Sequence, residues 1–212
     1  MTSDATRIIL IRHGEVDAPR GIFYSQQDVP LSETGKHESL ALSGFVRTAA
    51  VSRVLTSDLS RCLFLANAIA GDGGMEAEPY KELRELDFGL WAGLDWHEIE
   101  KRFPGAFSER MSNIEFYRPP MGESVSDLAE RAWAVIQLAV SQSLGETVAV
   151  VSHGGVNRAV IARAIGLSLD KIFTLHQDFS CINILDFFQD GPVVLRALNW
   201  RPTPLNRAGL GW

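Results

Sequence analysis

The sequence predicts an α/β protein: a three-layer α/β/α sandwich around a mostly parallel central sheet. Two observations carry that prediction. "RIILI", near the start, is β-branched and unbroken in its apolar character, as a strand covered on both faces must be. Segments of this kind alternate with segments of helical period, an order that calls for crossover connections between parallel strands.

Each element follows from local chemistry. The first strand ends at His13, on the edge where open α/β sheets bind ligands. A loop with Pro19, Gly21 and Pro30 leads to "LSETGKHESLALSGFVRTA", where Ser32 is suited to cap a helix. "RVLTS" is a short second strand, and "DLSRCLFLANAIAG" a helix closed by Gly71. From Leu94 to Phe107 one helical piece is expected, ending near Pro104 and Gly105. The Gly/Pro-rich "YRPPMGES" precedes a long helix reaching about Val140. "TVAVVSHGGVNRAVIARAIG" reads as a buried strand, a turn bearing His153, Gly154 and Gly155, and a helix ending at Gly166. "CINILDF" and "VVLRALNW" are strands paired through a turn at Asp190 and Gly191. Residues 1–212 are expected to form one domain, with 94–127 as a lid-like insertion and 201–212 as an irregular tail.

Composition narrows the class. The 212 residues suffice for one substantial core, and 46% apolar with 22% charged residues is ordinary for a globular chain. A formal charge of −6 speaks against nucleic acid or anionic membrane as a partner, since either favours a basic face. Met1 to Thr6 lacks the pattern of a secretion signal and no run has the length of a membrane span, so a cytoplasmic location is expected. Cys62 and Cys181 lack metal-site spacing and read as reduced core thiols.

The chemistry concentrates at two strand-to-helix junctions. Either histidine alone has a plain alternative, a ring that merely satisfies a backbone carbonyl. Together, His13 and His153 should lie side by side, because parallel strands bring their carboxyl ends to one edge. The helix N-terminus after "HGG" adds free N–H groups, so an anion is the natural guest. Arg12 and Arg61 offer guanidinium forks suited to phosphate, the alternative for Arg61 being a surface pair with Asp58. His37, His97 and His176 show no metal-ligand spacing.

"LIRHGE", "TSDLSRC", "LRELDFGLWAG", "GES" and "VSHGGV" occur in an order that resembles the histidine phosphatase, or phosphoglycerate mutase-like, superfamily over nearly the whole chain. "VDAPRGIFYSQQDVPLSETG", Cys62 and "HQDFSCINILDF" look most like its α-ribazole phosphatase type. The resemblance implies a phosphoglycerate mutase-like fold and a metal-independent phosphomonoesterase without a cofactor, acting on a small phosphate ester such as α-ribazole 5′-phosphate. It implies His13 as nucleophile, with Arg12, Arg61 and His153 around the transferred phosphoryl group. Neighbouring guanidinium groups are expected to keep His13 neutral. Glu85 is implied as the acid, in a pocket closed by Phe88 and Trp91, the alternative being a surface pair with Arg84 or Lys81. Substrate contacts are implied for Arg12, Arg61, His153, Gly154, Ser25 and Tyr24. Glu15 is expected to orient His13 or Arg12, or to serve a helix cap. Ser57 and Glu123 are expected as supports, and Asn157 to face solvent. Arg102, Arg110, Phe116, Tyr117 and Arg118 are expected to shape the alcohol side. Departures from the family pattern are Pro19 in place of a frequent asparagine, Ala92 in place of the glutamate of "WEG", and Ser25 and Gln26 where glycine is frequent. The rival readings are a cofactor-dependent phosphoglycerate mutase and a non-catalytic phosphate-binding module. A homodimer remains open.

Overall fold

The computed structural model describes residues 5–71 and 74–202. Its centre is a six-stranded sheet of β1 (Ala5–Arg12), β2 (Arg53–Ser57), β3 (Ala77–Tyr80), β4 (Thr147–Ser152), β5 (Ile182–Phe188) and β6 (Val193–Trp200), in the order β3-β2-β4-β1-β5-β6. β1 to β4 are mutually parallel; β5 runs antiparallel to β1, and β6 antiparallel to β5. Around it lie α1 (Glu33–Arg47), α2 (Ser60–Ala70), α3 (Trp96–Arg102), α4 (Ala106–Ser112), α5 (Val125–Gln142) and α6 (Gly154–Ile165).

Strand β1 shows why the sheet has two covered faces. Its side chains alternate, so Ile8 and Leu10 join a core with Leu128, Ile136, Val156 and Val160 of α5 and α6. Ile9 and Ile11 point the other way, into a core with Leu42 and Val46 of α1 and Leu65 of α2. All four β1 residues are 0% exposed, and each such side chain contributes roughly 1.5–3 kcal/mol by leaving water. That continuous burial is what the unbroken apolar run encodes.

The helix boundaries follow their caps. Ser32 Oγ accepts from the Gly35 N–H at 3.0 Å to start α1. Ser124 and Asp127 form a reciprocal capping box at α5. Gly166 closes α6 at φ 71°, a left-handed conformation suited to glycine. The expected hairpin of β5 and β6 is present. No described helix is long and apolar enough to cross a membrane.

Two elements were not foreseen. The helical piece expected from Leu94 is α3, which stops at Arg102, just before Pro104 and Gly105 as expected, but α4, opened by Gly105 at φ 82°, was not anticipated. Strand β3, "AEPY", was not foreseen: it holds a proline and pairs on one side only, with β2. Cys62 and Cys181 are both free and buried. Most of the expected tail, 203–212, lies outside the described residues.

Candidate active site

Parallel pairing of β1 with β4, in a register that sets Arg12 opposite Ser152, brings the two histidine junctions together. The rings of His13 and His153 lie 5.1 Å apart, centroid to centroid. The turn after β1 is held by interlocking glycines: a Cβ on Gly14 would meet the Gly35 carbonyl oxygen, and one on Gly35 would overlap the Glu15 backbone. Only bare backbones can approach this closely.

His13 is 5% exposed at the base of a cavity of about 460 Å³. Its Nδ1 lies 2.7 Å from the Gly14 carbonyl oxygen. A carbonyl can only accept, so Nδ1 carries the hydrogen and a neutral ring leaves Nε2 with a bare lone pair. The ring is held neutral: its pKa lies well below 6.5, pushed down first by burial and then by the charges of Arg12 and Arg61. Burial thus outweighs the guanidinium effect expected from the sequence. His153 is likewise depressed by burial, then by His13 and Arg61, and its Nε2 lies 2.9 Å from Ser57 Oγ.

The two arginines are fixed by backbone carbonyls rather than by direct carboxylate pairs. Arg12 donates from Nη1 to the Gln177 carbonyl at 2.6 Å, packs 3.9 Å above the centroid of the Phe179 ring, and keeps a buried Nε without a hydrogen-bond partner. Arg61 donates to the carbonyls of Gln27 at 2.7 Å and Ser25 at 3.1 Å. The alternative pairing of Arg61 with Asp58 is overturned, because Asp58 instead holds Arg84 at 2.6 Å. That pairing also removes Arg84 as a partner for Glu85. The Glu85 carboxylate accepts from the N–H groups of Leu86, at 2.8 Å, and Gly155, at 3.1 Å. A Cβ on Gly155 would collide with Oε1 of Glu85, so the second glycine of "HGG" makes room for that carboxylate. Gly154 opens α6 beside Arg12 and Arg158.

The remaining expected residues divide. Ser25 lines the cavity, but its Oγ accepts from the Phe88 N–H at 2.9 Å and its backbone sits at φ 57°, the left-handed region that favours glycine. Tyr24 also lines the cavity, and its hydroxyl donates to the Pro19 carbonyl. Glu15 reaches Ser32, the cap of α1, rather than His13 or Arg12. Glu123 accepts from the Asp87 N–H and pairs with Arg131. Asn157 does not face solvent: it is buried, accepting from Ser152 Oγ at 2.6 Å and donating to Gln177 Oε1. Trp91 is buried against Phe23 and Tyr117 instead of lining the cavity.

The outer wall is a correction of greater weight. It comes from the loop after β1, including Val16, Arg20, Ile22 and Phe23, not from the segment 94–122. Arg102 and Arg118 are exposed and paired with Glu98 and Asp127, and Phe116 is exposed. Arg110 alone among the five is a buried cation. Sequence reasoning assigned no role to Phe179 or Gln177, although both stand in "HQDFSCINILDF", just before β5.

Fold and site together define a class, an α/β protein whose pocket at the sheet's carboxyl edge gathers two neutral histidines and two arginines. The chain belongs to the histidine phosphatase superfamily (branch 1), whose family model it matches over residues 8–200. It is 29% identical over 196 residues to a bifunctional protein of Mycobacterium tuberculosis, covering 92% of this chain and 54% of that protein. It is 28% identical over 173 residues to the glucosyl-3-phosphoglycerate phosphatase of Mycolicibacterium vanbaalenii, covering 78% of this chain and 76% of that one. The solved structure of the α-ribazole phosphatase from Shigella flexneri superposes with a TM-score of 0.82 at 26% identity, covering 92% of this chain and 96% of the other. The chain spans about half the length of the first curated relatives it matches.

Proposed function

We infer that the chain is a metal-independent phosphomonoesterase working through a phosphohistidine. The observation that carries this reading is the bare Nε2 of a neutral His13, buried beside Arg12 and Arg61. In the first step Nε2 attacks phosphorus, and the bond from phosphorus to the ester oxygen breaks. Arg12, Arg61 and His153 hold the non-bridging oxygens, each well-placed donor lowering the barrier by about 3 kcal/mol. Glu85 hands a proton to the departing alkoxide. In the second step water attacks the phosphohistidine, its proton passes to Glu85, the N–P bond breaks and phosphate leaves. The pocket's fixed cations supply the charge that a metal supplies in other phosphatases.

For the substrate, the reading is α-ribazole 5′-phosphate, supported by the sequence likeness and by the Shigella flexneri neighbour. The resemblance to a glucosyl-3-phosphoglycerate phosphatase favours a second reading, a sugar-linked phosphoglycerate.

The test is phosphate release from p-nitrophenyl phosphate without added metal. His13→Ala should lower turnover by a factor on the order of 10³ or more. Acid quenching of the wild type should trap phosphate on His13. Unchanged turnover in the variant removes His13 from the reaction.

A further inference from the structure

A second, smaller cavity of about 100 Å³ shares the lining residues Glu85 and Phe88 with the main one. Its other walls include Val125, Leu128, Phe173 and two cations, Arg110 and Arg158. Arg110 is 3% exposed, its Nη1 is buried without a hydrogen-bond partner, and burial lowers its pKa. Its guanidinium carbon stands 5.1 Å from the Phe88 ring centroid and 6.0 Å from that of Phe173. Arg158 also approaches Phe173 at 6.0 Å, and its Nε is held by the Leu175 carbonyl at 2.8 Å. The carboxylate in this cavity, Glu85, is engaged by two backbone N–H groups and partly balances the charge of Arg158, but not that of Arg110.

A desolvated guanidinium with an unmade hydrogen bond is costly unless a ligand meets it. Stacking on Phe88 offsets part of that cost but leaves the donor unsatisfied. We propose that the substrate carries a second acidic group, a carboxylate or a phosphate, which Arg110 and Arg158 hold while the ester lies against His13. The small volume suits one charged group, not a sugar ring. The inference rests on the phosphatase reading and narrows its substrate, favouring a phosphoglycerate-like ester over a nucleotide whose alcohol portion carries no acid.

The experiment compares matched esters by kcat/KM. 3-Phosphoglycerate against glycerol 3-phosphate isolates the carboxylate, and fructose 1,6-bisphosphate against fructose 6-phosphate isolates the second phosphate. The acidic member of at least one pair should be favoured by roughly 10- to 100-fold, the range of charge-assisted hydrogen bonds. The pair that responds identifies the group. Arg110→Leu should bring that ratio to within about threefold of one, and Arg110→Lys should restore part of it. Equal efficiency on both members of both pairs in the wild type overturns the proposal, whether or not the variants fold. A ratio that survives intact in Arg110→Leu also overturns it. A wild type active on p-nitrophenyl phosphate but without the preference leaves the phosphatase reading standing. A wild type inert on that ester sinks both.

Discussion

Glu85 is the residue whose role depends most on what surrounds it. Two backbone N–H groups orient its carboxylate, and Gly155 leaves the space it occupies. An acid in this position matters in proportion to the basicity of the departing oxygen. Glu85→Gln should therefore lower kcat/KM on an alkyl phosphate by about 10²–10⁴-fold, and much less on p-nitrophenyl phosphate, whose leaving group needs no proton. Equal losses on both esters would argue against Glu85 as the proton donor. The residues around it differ in how readable they were. His13, His153 and Arg61 stood in recognisable motifs, and the geometry brings them together. The orphaned Arg110 was legible only as one of several arginines. Its burial is set by packing against Phe88, in "LRELDFGLWAG", and against Phe173, far along the chain, while no motif surrounds Arg110 itself.

Helix α1 holds a matched pair of glycines that separates intrinsic propensity from packing. Both Gly35 and Gly44 lie within it. A methyl group at Gly44 meets nothing within 4 Å, whereas one at Gly35 overlaps the Glu15 backbone. Gly44→Ala should stabilise the protein by up to about 1 kcal/mol, the helix propensity difference. Gly35→Ala should destabilise it by about 1–3 kcal/mol, because overpacking outweighs the same gain. Urea midpoints distinguish the two, and equal shifts would contradict the interlocked turn. The long elements were readable because caps and periodicity agreed, as at Ser32 with α1 and Gly166 with α6. Strand β3 was not, since four residues with a proline carry too little pattern and the pairing with β2 alone makes them a strand.

For the molecule as a whole, two neutral buried imidazoles tie stability to pH. The pKa values of His13 and His153 lie well below 6.5 in the folded state, so between 6.5 and those values the unfolded chain binds protons that the native one does not. Stability should fall as pH drops below about 6.5, by up to about 1.4 kcal/mol per pH unit for each ring. Asp58, Glu78 and Asp186 have lowered pKa values, so their contribution is lost only at more acidic pH. Melting temperatures at pH 7.5, 6.5 and 5.5 test this; a flat profile across that window would contradict it.

The alternation of strands and helices announced a mostly parallel sheet but not its strand order, because which neighbour a strand takes depends on partners remote in sequence. Strand β1 lies between β4 and β5, with Arg7 opposite Thr147 on one side and Ile11 opposite Ile182 on the other. The stretch that leads to His13 is therefore synthesised well before either of the strands that flank it, β4 and β5, and must wait for them before it is covered. Such distant pairing is slow to nucleate. Until residues near 180 emerge, a nascent chain has a histidine but no enclosure around it, and should be unable to hydrolyse anything.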